Sequence, residues 1–153
     1  MAEIQGLNHS GISVPDVRDG EEFYIRILGG EHCNRTSLTM DWIRVGRGAP
    51  HNCHILGDYL FVIFPHRRPV AQTGSPRGTA GGRHAFTVPR ARFSDVVEKV
   101  REEGIVFEGP VEHPEQGPFG ESIYFTDPGG NFIEVCWRRD EETSYDPIMV
   151  VRH

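Results

Sequence analysis

The chain has 153 residues, enough for one domain with a real core, and its 37% hydrophobic and 25% charged residues are those of a folded globular protein. A formal net charge of -6 argues against a general nucleic-acid binder, which needs a surplus of Lys and Arg on one face, and no apolar run approaches the roughly 18 residues of a membrane span. Three cysteines without paired spacing (Cys33, Cys53, Cys136), and a start at Met1-Ala2-Glu3 without a basic or apolar leader, lead to the expectation of reduced thiols in a cytoplasmic protein.

Residues 7–14 alternate small or polar residues with apolar ones, as a half-buried strand does. Pro15 and Asp16 stop that strand, and Asp16 can cap a helix running to about Leu28 on a stripe of Val17, Phe23, Tyr24, Ile27 and Leu28. Gly20 weakens this helix, and Gly29-Gly30 ends it. From Glu31 to Phe64 the pattern predicts three strands. Trp42 to Val45 is one, and His51 to Leu56 and Tyr59 to Phe64 flank a hairpin turn at Gly57-Asp58. Residues 66–82 are rich in Pro, Gly and polar types and read as a linker, or as a mobile lid over a site.

The same programme then repeats. Ala85 to Val88 is a strand ending at Pro89, and Phe93, Val96, Val97 and Val100 form a helical stripe closed by Gly104. Val106 to Val111, Ser122 to Thr126 and Phe132 to Trp137 are the strands that follow. His9 to Pro15 lies over Arg83 to Pro89, and Gly57 to Ile63 lies over Gly130 to Cys136, so a βαβββ unit recurs after roughly 74 residues. The expected fold class is α+β, two tandem βαβββ modules forming one curved mixed sheet around a cavity. The expected organisation is a single domain with module one at 4–65, a linker at 66–82, module two at 83–138 and a tail at 139–153 that turns apolar at Ile148 to Val151.

Two stretches carry a family resemblance. Asn8-His9-Ser10-Gly11-Ile12-Ser13-Val14-Pro15-Asp16, followed by a helix with Phe23-Tyr24 and an end at Leu28-Gly29-Gly30, is one. Gly120 to Glu134, with its Asp127-Pro128-Gly129-Gly130-Asn131 turn between two strands, is the other. Together they resemble the vicinal oxygen chelate superfamily, the group of glyoxalases, bleomycin-resistance proteins and extradiol dioxygenases. The resemblance covers nearly the whole chain apart from the linker and the tail. It is specific for the fold and much less so for the reaction, since lyases, isomerases, dioxygenases, transferases and metal-free drug binders share it.

The resemblance implies a metal site with ligands from the first and last strands of each module: His9, His84 and Glu134, holding Fe, Mn, Ni or Zn. Glu134 stands between Ile133 and Val135, where an unpaired carboxylate is costly to bury. Phe61 is taken as the first-module counterpart of Glu134, which argues against a fourth ligand unless His66 reaches back from just beyond that strand. The register at the fifth strand is the open point. Counting back from Val88-Pro89 puts Arg83, not His84, in line with His9, so His84 would face the helix unless a bulge re-aims it. Arg83 could instead pair with Glu134, its guanidinium replacing the metal charge.

Arg83, Tyr59, Phe61 and Trp42 are the candidate substrate-binding residues, with Ile63, Phe132 and Cys136 as further cavity wall. No catalytic acid or base is identified. Two functions stay open: a metal-dependent enzyme acting on a small molecule with vicinal oxygens, and a metal-free protein that binds a drug or metabolite as bleomycin-resistance members do. The expected partner is a small molecule, with neither nucleic acid nor membrane, and the resemblance implies a homodimer.

Overall fold

The computed structural model describes residues 9–32, 52–56, 59–65, 72–78, 82–113 and 119–138. Trp42 and the tail from residue 139 lie outside them, as does the side chain of Tyr59. The architecture is α+β, with β1 (His9–Val14), α1 (Val17–Leu28), β2 (Glu31–His32), β3 (Asn52–Leu56) and β4 (Tyr59–Pro65) in the first half. The second half has β5 (Arg83–Thr87), α2 (Arg90–Glu102), β6 (Phe107–Glu112), β7 (Phe119–Thr126) and β8 (Phe132–Arg138).

The strands form two four-stranded sheets of the same design, ordered β1-β4-β3-β2 and β5-β8-β7-β6. In each, the first strand runs parallel to the fourth, and the helix makes the crossover that a parallel pair requires. The expected single continuous sheet is not what pairs here: among the described residues no ladder joins the two sheets, and side-chain packing joins them instead.

Local chemistry accounts for the ends of the elements. Asp16 accepts a hydrogen bond from the Arg18 amide at 2.8 Å, and Gly29 closes α1 in the left-handed conformation with its N–H on Ile25 O. Gly20, expected to weaken α1, packs directly against the sheet. A Cβ there would stand 2.9 Å from Val14 Cγ2 and 3.2 Å from its Cγ1. The second helix starts at Arg90 behind Pro89, without a side-chain cap.

One apolar core lies between the sheets and the helices. Phe23, Tyr24 and Ile27 of α1 meet Phe93, Val96, Val97 and Val100 of α2, with Ile12, Val14, Phe61 and Ile63 from one sheet and Ile123, Phe125, Ile133 and Val135 from the other. The Tyr24 ring stands edge-on to Phe61 at 4.8 Å, and Phe61 edge-on to Phe86 at 5.4 Å, so aromatic contacts cross from one half to the other. Alternation then fixes the outer face of each sheet. In β1, His9 and Gly11 are exposed while Ile12 and Val14 are buried; in β5, Arg83, Ala85 and Thr87 are exposed and His84 and Phe86 are partly buried against the core.

The turn Asp127 to Asn131 locks the halves together. The Asp127 carboxylate accepts from the Gly129 and Asn131 amides and from Asn131 Nδ2, and also from the Tyr24 hydroxyl at 2.8 Å. Asn131 Nδ2 donates to Ser13 O at 2.8 Å. Burial first, then the neighbouring Asp127 carboxylate, holds the Tyr24 phenol well above its usual pKa, so it remains a donor. No helix among the described residues is long and apolar enough to cross a membrane.

Candidate functional site

The outer face of the second sheet carries a polar cluster built by strand register. Ala85 lies beside Glu134, and Glu134 beside Tyr124, while Thr87, Cys136 and Ser122 form the next row. Arg83 begins β5 on that same face. Its Nε donates to Glu134 Oε2 at 2.9 Å, with the two side chains 30% and 10% exposed, and the Ser122 hydroxyl donates to Glu134 Oε1 at 2.7 Å. Both carboxylate oxygens therefore have charge-assisted partners, which is what makes a carboxylate tolerable at this depth.

Around that pair, the Arg83 guanidinium lies 4.9 Å from the centre of the Tyr124 ring. Its Nη1 donates at 3.0 Å to the backbone carbonyls of both Pro76 and Arg77, so the segment 72–78 is tied to the start of β5. The Tyr124 hydroxyl and His113 Nε2 stand 2.9 Å apart. Burial pushes the Tyr124 phenol above its ordinary pKa, against the Ser122 hydroxyl, which lowers it. Burial likewise raises the Cys136 thiol, which keeps it protonated and poorly nucleophilic. Tyr124 and Pro76 also line a cleft of about 500 Å³ with Phe23, Arg26, Phe107 and Asp127.

The sequence-derived site residues divide between the two sides of the sheets. Arg83 and Glu134 come together. His84 does not join them: it points inward, its Nδ1 3.1 Å from Ser10 Oγ and its ring 6.2 Å from Phe61, and burial lowers its pKa although Asp127 works the other way. No bulge re-aims it, because β5 pairs with β8 without interruption from Arg83 to Thr87. His9 opens β1 on the exposed face of the first sheet, beside Leu60.

Phe61 is fully buried in the core rather than on an outer face, and Ile63 is buried with it. The counterpart of Glu134 in the first sheet is Val62, since Val62 pairs with Gly11 as Glu134 pairs with Ala85. An alignment anchored on the turn glycines Gly57 and Gly130 slips by one residue. Sequence reasoning named neither Ser122 nor Tyr124 in the site, although both stand on the glutamate's face in the neighbouring strand and β-alternation could have found them.

Among the described residues of one chain, the side chains around Glu134 are not arranged as a three-ligand metal centre. A guanidinium stands at the position expected of an imidazole, the nearer histidine is turned into the core, and both oxygens of Glu134 are engaged. Among the described residues no three His, Cys, Asp or Glu side chains converge as a metal site requires.

Several solved structures share the fold. A glyoxalase/dioxygenase from Nostoc punctiforme superposes with a TM-score of 0.68 at 22% identity, covering 88% of this chain and 91% of that one. The fosfomycin resistance protein FosX of Mesorhizobium loti gives 0.66 at 18% identity, with 92% and 95% covered. A mutant FosX of Listeria monocytogenes, complexed with Mn(II) and a dihydroxypropylphosphonic acid, gives 0.65 at 19% identity, with 91% and 96% covered. No curated protein gives a significant sequence match. The family model for the Glyoxalase/Bleomycin resistance protein/Dioxygenase superfamily matches residues 6–135, most of the chain, and the chain belongs to that superfamily.

Proposed function

We propose that this protein binds an oxygen-bearing small molecule on the outer face of its second sheet, with the Arg83–Glu134 pair as the polar centre. One observation carries the reading: the positive charge that compensates the Glu134 carboxylate comes from the chain's own guanidinium, 2.9 Å away. The fork of Arg83 and the phenol of Tyr124 are hydrogen-bonding groups for substrate oxygens, and the Tyr124–His113 contact offers a route for a proton. The Tyr124 ring and the neighbouring cleft that it lines with Pro76 supply apolar contact area beside the pair.

A second reading, a metal-dependent enzyme, is favoured by the superfamily and by Mn(II) in the FosX complex. It would use His9 and Glu134, with His84 turned out of the core, to hold Fe, Mn, Ni or Zn as a Lewis acid toward vicinal oxygens. In either reading a second copy of the chain is the proposed partner, covering outer-face residues such as Gly11, Ala85 and Thr87 that are exposed in one chain.

Elemental mass spectrometry separates the two readings, on protein as purified and after exposure to Fe(II), Mn, Ni and Zn, beside His9→Ala and Glu134→Ala. The ion-pair reading expects far less than one metal per chain in every condition. Near-stoichiometric metal that disappears in both variants would overturn it and establish the second.

A further inference from the structure

Arg83 has more than one task, and its donors divide unequally. Nε is committed to Glu134, and Nη1 is spent on two neutral backbone carbonyls, those of Pro76 and Arg77. Nη2 has no hydrogen-bond partner among the described residues, and the guanidinium plane is held against the Tyr124 ring. The Nη1–Nη2 edge is the side of the fork that accepts a two-oxygen anion in parallel hydrogen bonds. An anionic oxygen is a stronger acceptor than a peptide carbonyl, so a carboxylate or phosphoryl group reaching this edge would displace Pro76 O and Arg77 O. A ligand can reach the guanidinium because the Arg83 side chain is 30% exposed, and Pro76 and Tyr124 beside it line the neighbouring cleft.

We infer that the ligand of this site carries an oxyanion that Arg83 takes in exchange for the Pro76 and Arg77 carbonyls, so that binding releases the 72–78 segment from the sheet. The inference rests on the ion-pair reading above and adds a ligand class to it. Among the described residues the segment's other hydrogen bonds do not reach the sheet face: Ser75 Oγ accepts from the Gly78 amide at 3.1 Å within the segment, and Gln72 Nε2 reaches Gly82 O at 3.4 Å. Arg83 is its tie to the functional face, and Glu134 keeps the guanidinium in place during the exchange.

The tie includes the carbonyl of Arg77, which belongs to the Arg77–Gly78 peptide bond that trypsin cuts. Cleavage at this one bond, followed by mass spectrometry, therefore reports release. The full chain would be digested briefly in chloride, in inorganic phosphate and in acetate at matched ionic strength. In the wild type, phosphate or acetate should speed this cleavage saturably, and the two anions distinguish a phosphoryl from a carboxylate ligand.

Arg83→Gln should cut faster without added anion, by about tenfold for the loss of two such hydrogen bonds, and should no longer respond to either anion. Arg83→Lys keeps a positive charge beside Glu134 but lacks the fork. It should also cut fast and without saturation, which preserves the test if Arg83→Gln fails to fold. A wild type indifferent to both anions, or variants that keep the response or cut no faster, would overturn the exchange. Such a result in protein that takes up no metal sinks the exchange alone, whereas stoichiometric metal on Glu134 sinks the reading beneath it.

Discussion

Glu134 illustrates how a charge survives inside an apolar strand. Its neighbours Ile133 and Val135 are fully buried, and Ser122 and Arg83 take one oxygen each of its own carboxylate. Removing one partner costs more than removing both, since a lone buried charge loses its compensation while an apolar pair of similar volume can pack. Arg83→Ala is therefore expected to lower stability by about 2 kcal/mol, less than for a fully buried pair because Arg83 is partly exposed. The double variant Arg83→Met with Glu134→Leu should recover most of that loss. Urea unfolding of the three proteins measures it, and a double variant no more stable than Arg83→Ala would show that the charge pair was not the cause.

At the level of elements, periodicity makes the helices and most of the described strands legible in the sequence. The α1 stripe and its ends at Asp16 and Gly29 stand where expected, as does the α2 stripe of Phe93, Val96, Val97 and Val100. For His84 two sequence signals conflict: the resemblance implies a ligand, while counting back from the shared Val-Pro ending of the two first strands turns it inward, which is how it stands. The placement of Phe61 failed because it was counted from turn glycines, and a turn can gain or lose a residue without disturbing the strand after it. The role of Gly20 was hidden too, because its packing against β1 is a tertiary fact.

That packing sets the sign of a substitution. Gly→Ala inside an exposed helix normally stabilises by about 0.5–1 kcal/mol. At Gly20 the new methyl would press on Val14, which is fully buried with a stiff branched side chain, and would reach Ile63 Cγ2 at 3.4 Å. Overpacking of this kind costs about 1–3 kcal/mol, so Gly20→Ala should lower the thermal midpoint. A raised midpoint would mean that α1 moves off the sheet at little cost.

At the scale of the whole molecule, the two halves are held by contacts no local pattern encodes. Tyr24 reaches Asp127, Asn131 reaches Ser13 O, and a Cβ on Gly129 would come within 2.5 Å of that same carbonyl, so the turn seats directly on β1. The Asp127 to Asn131 stretch that carries the family resemblance is thus a clamp between halves, and its distinctive residues serve the fold.

His84 also stands at this junction, with Ser10 at its Nδ1, the Phe61 ring beside it, and Asp127 as the charged group acting on it. Burial lowers its pKa in the fold, outweighing the attraction of Asp127, so the folded chain binds its proton less readily than the unfolded chain does. Its contribution to stability is therefore complete above the unfolded value of about 6.5 and is lost as pH falls from there toward the lower folded pKa. Unfolding midpoints measured between neutral and mildly acid pH should fall in the wild type more steeply than in His84→Gln, which keeps a polar group for Ser10 but cannot charge. Parallel curves for the two proteins would remove His84 as the source of the acid sensitivity.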